Sequence, residues 1–109
     1  MVTELAEFDV KPGHEAAFEA AVSQGARFYL NSKGCIGLRL HRSLEQPTRY
    51  RLIVQWETLE DHMIEFRNSD AFVQWRRIAS PHFAGTPRIE HLVVALDGAN
   101  ILDEARERA

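Results

Sequence analysis

The stretch "RYRLIVQWETLEDHMIEFRNS", residues 49–69, changes period in its middle. In its first eight residues Tyr50, Leu52, Val54 and Trp56 fall on one side, the alternation of a strand with one buried face. After Thr58 the apolar spacing becomes helical. Leu59, His62, Met63 and Phe66 recur at i, i+3, i+4 and i+7, while Glu60, Asp61, Glu65, Arg67 and Asn68 lie mostly opposite. Thr58, with Asp61 three residues on, is a weaker form of the capping box that opens a helix. The stretch therefore predicts a strand feeding an amphipathic helix over 59–69. One member of the inward stripe, His62, is ionisable.

Upstream, residues 35–42 alternate as well. Ile36, Leu38 and Leu40 face one way, and Cys35, Gly37, Arg39 and His41 the other. With "SLEQPT" between them, the two runs form a hairpin with a longer loop. Near the start, residues 2–10 alternate with Val2, Ala6, Phe8 and Val10 on one side and Glu4 as a misfit among them. "KPGH" breaks that strand. The helix that follows carries Phe18, Ala21, Val22, Gly25, Phe28 and Tyr29 as a continuous stripe, and Gly34 ends it. Downstream, Ser69 or Asp70 caps a second helix bearing Phe72, Trp75 and Ala79, which Pro81 stops. "SPHFAGTP" is a loop and residues 88–96 a last strand. Residues 97–109 form a tail or a short helix.

The order strand, helix, strand, strand, helices, strand predicts an α+β fold: a ferredoxin-like split βαβ sheet with its helices on one face. One domain accounts for residues 1–109, with a core over 2–96. The other sheet face mixes Leu5, Ile53 and Val93 with Arg39, His41, Arg51 and Gln55. That mixture predicts a homodimer with sheets packed face to face.

Composition narrows the function classes. A net charge of −3 with scattered Lys and Arg argues against nucleic acid as a partner. No apolar run is long enough to span a bilayer, and the first residues lack the pattern of a signal peptide. A single cysteine, Cys35, forms no internal disulfide and fits a reducing compartment, so a cytoplasmic location is expected. There is no phosphate loop, no flavin motif and no His-Glu-x-x-His spacing. Neither a cofactor nor a metal is expected.

"VKPGHEAAFEAAV", "WETLEDHMIEFRNSDAFVQWR" and "PHFAGTPRIEHLVVAL" together resemble the antibiotic biosynthesis monooxygenase family of dimeric α+β barrel proteins. The most specific part is the order Trp56, Ser69, Phe72, Trp75. The resemblance implies a small cofactor-independent monooxygenase acting with O2 on an electron-rich phenol or quinol. Haem-degrading relatives would need an Asn, a Trp and a His where this chain has Ala6, Phe66 and Arg76, so haem degradation is not expected. Many relatives place a His three residues before the Ser; here that slot is Phe66, and the histidine stands one turn back at His62.

In this reading His62 is the catalytic base, because an imidazole titrates near neutral pH and suits removal of a phenolic proton. Trp56, Phe66, Phe72, Trp75 and Tyr29 would wall an apolar pocket, and His82 would close it from its loop. The structural alternative for His62 is a neutral imidazole that holds the helix on the sheet. His91, if it shares Val93's side, faces the dimer interface. Two other functions stay open: a ligand-binding or stress-related dimer without turnover, and a proton-transfer enzyme (isomerase, cyclase or decarboxylase) on the same fold.

Overall fold

The structure, a computed structural model, describes residues 1–98. Four strands, β1 (Val2–Asp9), β2 (Cys35–Arg42), β3 (Arg49–Trp56) and β4 (Arg88–Leu92), form one antiparallel sheet in the order β2-β3-β1-β4. Helices α1 (Glu15–Leu30) and α2 (Asp70–Ala79) cover one face. This is the ferredoxin-like arrangement expected from the element order. The tail expected over 97–109 lies, beyond Gly98, outside the described residues.

Alternation decides which side chains meet the helices. From the sheet, Ala6, Phe8, Tyr50, Leu52, Val54 and Trp56 are buried, and α1 supplies Phe18, Ala21, Val22 and Tyr29. Glu4, the misfit of β1, is buried with them and is 1% exposed. Aromatic packing knits the layers: Phe18 lies 5.0 Å from Tyr50 and Tyr29 5.1 Å from Trp75, centroid to centroid. Gly25 has a packing reason to be glycine. A Cβ there would stand 2.8 Å from a ring carbon of Trp75, so the absent side chain lets α2 close on α1.

Three local expectations are corrected. First, residues 61–66 wind as a π-helical turn, not an α-helix. The Arg67 N–H donates to the His62 carbonyl five residues back, at 3.1 Å. Thr58 Oγ1 accepts from the Asp61 N–H, so the expected cap is present. Within the turn Asp61, His62 and Phe66 are buried, whereas Leu59 and Met63 are about 40% exposed. Second, a bulge between Cys35 and Gly37 turns Ile36 outward and Cys35 onto the core. Third, β4 stops at Leu92 and its register differs from expectation. Ile89 pairs with Ala6 and His91 with Glu4, which puts both on the helix side. Arg88, Glu90 and Leu92 take the outer face where Val93 was expected.

That outer face carries a charge ladder. Arg88 bonds Glu7 and Asp9 at 2.7 and 3.0 Å, and Arg49 reaches both carboxylates at 2.9 Å. Arg88 above all holds the Glu7 carboxyl below its usual range, and Arg49 does the same for Asp9. Arg51 lies 3.8 Å from the Glu7 carboxylate on the same face.

Candidate active site

Between the sheet and the helices, on the β1–β4 side, lies a cavity of about 130 Å³. Glu4, Ala6 and Phe8 of β1 form part of its floor, with Ile89 of β4 beside them. Tyr29 of α1, and Phe72 and Trp75 of α2, provide aromatic wall. His62 and Arg67 enter from the π-helical turn, and Arg76 from α2. The lining grades from buried residues, Glu4, Ala6, His62 and Trp75, to exposed ones, Arg67, Arg76 and Thr86, so the cavity opens to solvent on its cationic side.

At the buried end four side chains form a connected polar group. The Trp56 Nε1–H donates to Glu4 Oε1 at 3.0 Å. His62 Nε2 lies 3.3 Å from the same oxygen. On its other side His62 Nδ1 shares a proton with His91 Nε2 at 2.8 Å. The Trp56 indole stacks on the His62 ring, 5.2 Å between centroids and 17° from parallel. Both contacts to Glu4 fall on Oε1, which leaves Oε2 as the oxygen engaged by neither partner. An anionic Glu4 selects the His62 tautomer with its proton on Nε2, and Nδ1 then accepts from His91.

Burial sets the protonation of this group. It pushes the Glu4 carboxyl up to about 7, against the opposing pull of the Trp56 N–H and the Arg67 charge. Burial, His91 and Arg67 push His62 down to about 4, so its ring is neutral at pH 7. His91 is lowered by burial and then by Arg67. The group closest to half-protonation at neutral pH is thus the carboxyl, not the imidazole. A carboxylate there, in apolar surroundings, can accept a proton from a bound hydroxyl, and the His62–His91 contact can carry charge reorganisation outward.

Of the residues singled out in the sequence, the cavity brings together His62, Phe72, Trp75 and Tyr29. Trp56 and Phe66 stand behind the wall. Trp56 supports Glu4 and His62, while Phe66 packs on Tyr29 at 4.6 Å and on Phe72 at 5.5 Å. His82 is elsewhere, with its Nδ1 3.1 Å from His14 Nδ1; its neighbour Phe83 lines the cavity instead. His91 belongs to the polar group and not to the outer face. Glu4, Arg67 and Arg76 were not foreseen as site residues. For Glu4 the signal was present, an acid in the inward slot of an apolar alternation. Among the described residues no group of three or more His, Cys, Asp or Glu side chains could hold a metal ion, and no helix is long and apolar enough to cross a membrane.

Comparison with known proteins places this architecture. Residues 1–78 match the family model described as antibiotic biosynthesis monooxygenase. The Bacillus subtilis protein YczJ, itself uncharacterized, is 37% identical over 91 residues, which cover 84% of this chain and 96% of YczJ. A crystal structure from Bordetella bronchiseptica that carries the family name is 43% identical and superposes with a TM-score of 0.85, over 87% of this chain and 97% of that one. SnoaB of Streptomyces nogalater, a cofactor-independent oxygenase, shares the fold at a TM-score of 0.78 and 18% identity, over 90% of this chain and 96% of SnoaB. The chain belongs to the antibiotic biosynthesis monooxygenase family.

Proposed function

We propose that this protein is a cofactor-independent monooxygenase of an electron-rich phenol or quinol, with Glu4 as the base and His62 as its partner. The observation that carries the reading is the buried Glu4–His62 contact at the closed end of an aromatic-walled cavity. The family and the cofactor-independent oxygenase SnoaB, which has the same fold, support the reaction class.

The chemistry needs little beyond a base and a dry pocket. Glu4 takes the hydroxyl proton, and the resulting phenolate is electron-rich enough to reduce O2. Transfer of one electron and recombination at a ring carbon ortho or para to the oxygen, one that bears hydrogen, form a C–O bond to a hydroperoxide. Loss of water from that adduct leaves an ortho- or para-quinone. One oxygen atom stays on the ring and the other leaves as water with the two hydrogens that the substrate gave up, so phenol plus O2 balances quinone plus H2O. The neutral His62 ring next to Glu4 Oε1 and the Trp56 N–H steady the charge on the base.

The active unit we propose is a homodimer, supported by the outer sheet face, where Leu5, Ile53 and Leu92 lie among paired charges. Sedimentation at micromolar concentration should give twice the chain mass, and a clean monomer would count against it. Catalysis is tested by oxygen uptake with a panel of phenols and quinols. Uptake with formation of the quinone is expected, reduced about 10²–10⁴-fold in Glu4→Gln. Hydrogen–deuterium exchange at a substrate carbon without oxygen uptake would favour a proton-transfer enzyme at the same carboxylate. Uptake that Glu4→Gln leaves unchanged would refute the assignment of the base.

A further inference from the structure

The cavity is polarised, and its charges are arranged in a way that the oxygenase reading does not use. Its buried end holds Glu4; its open end holds two guanidiniums, Arg67 and Arg76. Among the other described arginines, Arg42, Arg49, Arg51 and Arg88 sit within 4.0 Å of carboxylates, whereas Arg27, Arg39 and Arg77, which do not line the cavity, do not. Among the described residues neither Arg67 nor Arg76 has such a partner. Arg67 instead lies 5.6 Å and Arg76 5.9 Å from the centroid of the same ring, Phe72, itself part of the cavity wall. Two cations flanking one aromatic platform at a pocket mouth match a planar anion, because guanidinium forks pair with carboxylate oxygens two at a time.

Volume narrows the choice further. About 130 Å³ is close to the roughly 150 Å³ of an apolar cavity that takes up benzene. The cavity is therefore of a size that takes one six-membered ring. We propose that the substrate is a monocyclic hydroxyaromatic carboxylate, with its hydroxyl at Glu4, its ring among Phe72, Trp75 and Tyr29, and its carboxylate between Arg67 and Arg76. The hydroxyl end of this pose rests on the proposed function; the carboxylate end stands on the arginines alone. The anchor also orients the ring. It directs the hydroxyl inward, so the acidic proton meets the one carboxyl that is buried in the pocket.

Binding of 4-hydroxybenzoate and of phenol to the full chain, measured by calorimetry at low ionic strength, tests the anchor without any turnover. The benzoate should bind at least tenfold more tightly than phenol. Arg67→Gln and Arg76→Gln should each cut its affinity about 5- to 10-fold, and the double variant should bind the two compounds about equally. Arg27→Gln, whose guanidinium lies over Phe28 away from the cavity, should change nothing. Salt at 0.5 M should weaken the benzoate and leave phenol unaffected. Equal affinities in the unmodified protein, no binding of 4-hydroxybenzoate, or a preference that survives the double variant would each overturn the anchor. Oxygen uptake with 2,5-dihydroxybenzoate separates the two readings. Arginine-dependent binding without uptake keeps the anchor and removes the oxygenase. Uptake with hydroquinone that exceeds uptake with the acid, unchanged in the double variant, does the reverse.

Discussion

Glu4→Gln should make the protein more stable and less active, and the gain should depend on pH. The Glu4 carboxyl is raised from its ordinary 4.5 to about 7. Folding therefore favours its protonated form. Its contribution to stability is complete below pH 4.5, and it is lost as pH rises through about 7. At about 1.4 kcal/mol per unit, a shift of that size amounts to about 3 kcal/mol in the limit of high pH. His62 works in the opposite sense. Its ring is lowered from 6.5 to about 4, so its contribution is complete above pH 6.5 and is lost as pH falls through 4. Between pH 4.5 and 6.5 the two slopes oppose each other, and only above 6.5 does Glu4 act without that compensation.

The amide of glutamine keeps the size of the side chain and an oxygen for the Trp56 N–H, but it carries no charge. Urea denaturation of both proteins from pH 5 to pH 8.5 isolates the effect. The difference should be below about 1 kcal/mol at pH 5 and grow to about 3 kcal/mol in favour of the variant at pH 8.5. Over the same range oxygen uptake should fall by about 10²–10⁴-fold. A variant that is less stable at pH 8.5, or a difference that does not change with pH, would refute the reasoning. Either result would mean that the fold exacts no charge penalty at Glu4, and the physical ground for a base near neutrality would be gone.

Gly25→Ala should lose about 1 kcal/mol in chemical denaturation: crowding against Trp75 costs about 1–3 kcal/mol and outweighs the better helix propensity of alanine, about 1 kcal/mol. Ser69→Ala removes the oxygen that accepts the Phe72 N–H at the start of α2 and should lower stability by about 1 kcal/mol by the same measurement. Deletion of the exposed Glu65 should turn the π-helical turn into an α-helical one. The folded protein should keep its affinity for 4-hydroxybenzoate within about threefold, since His62 and Arg67 would then stand four residues apart and still share a face.

The fold was legible because its signals are redundant. Period two in β1, β2 and β3 and an apolar stripe along α1 each point to a half-buried element, and a single misfit such as Glu4 does not disturb the pattern. The same redundancy hid the site. Judged as a strand, residues 2–10 are better with Glu4 set aside, yet that residue is the one ionisable group of β1 at the closed end of the cavity. His62 was visible because a histidine in a four-residue stripe is conspicuous. The sequence puts His91 on the outer face only if it shares that side with Val93; the antiparallel register with β1, set by pairs such as Ile89 with Ala6, turns it inward. Register is a tertiary property, and one strand's own alternation does not say which of its two sides meets the core.

Arg67 was missed for a more specific reason, and that reason ties the fold to the chemistry. At 3.6 residues per turn His62 and Arg67 lie on different faces, which is how residues 59–69 read. A turn closed by an i to i+5 bond brings residues five apart one above the other instead. Asp61 and Phe66, both buried, are five apart, and so are His62 and Arg67, both in the cavity wall. The inward set thus obeys the π period throughout. Such a turn is less favourable than an α-helical one, so its neighbours have to hold it. Thr58 caps the Asp61 N–H, and the Asp61 carboxylate lies over Gly34, where a side chain would collide with it. At the far end the Ser69 hydroxyl donates to the Phe66 carbonyl at 2.6 Å. With His62 and Arg67 five residues apart, the π-helical turn, fixed at both ends, is what lines them up, so that one short segment presents a neutral imidazole to the buried carboxyl and a guanidinium to the solvent side of the same pocket.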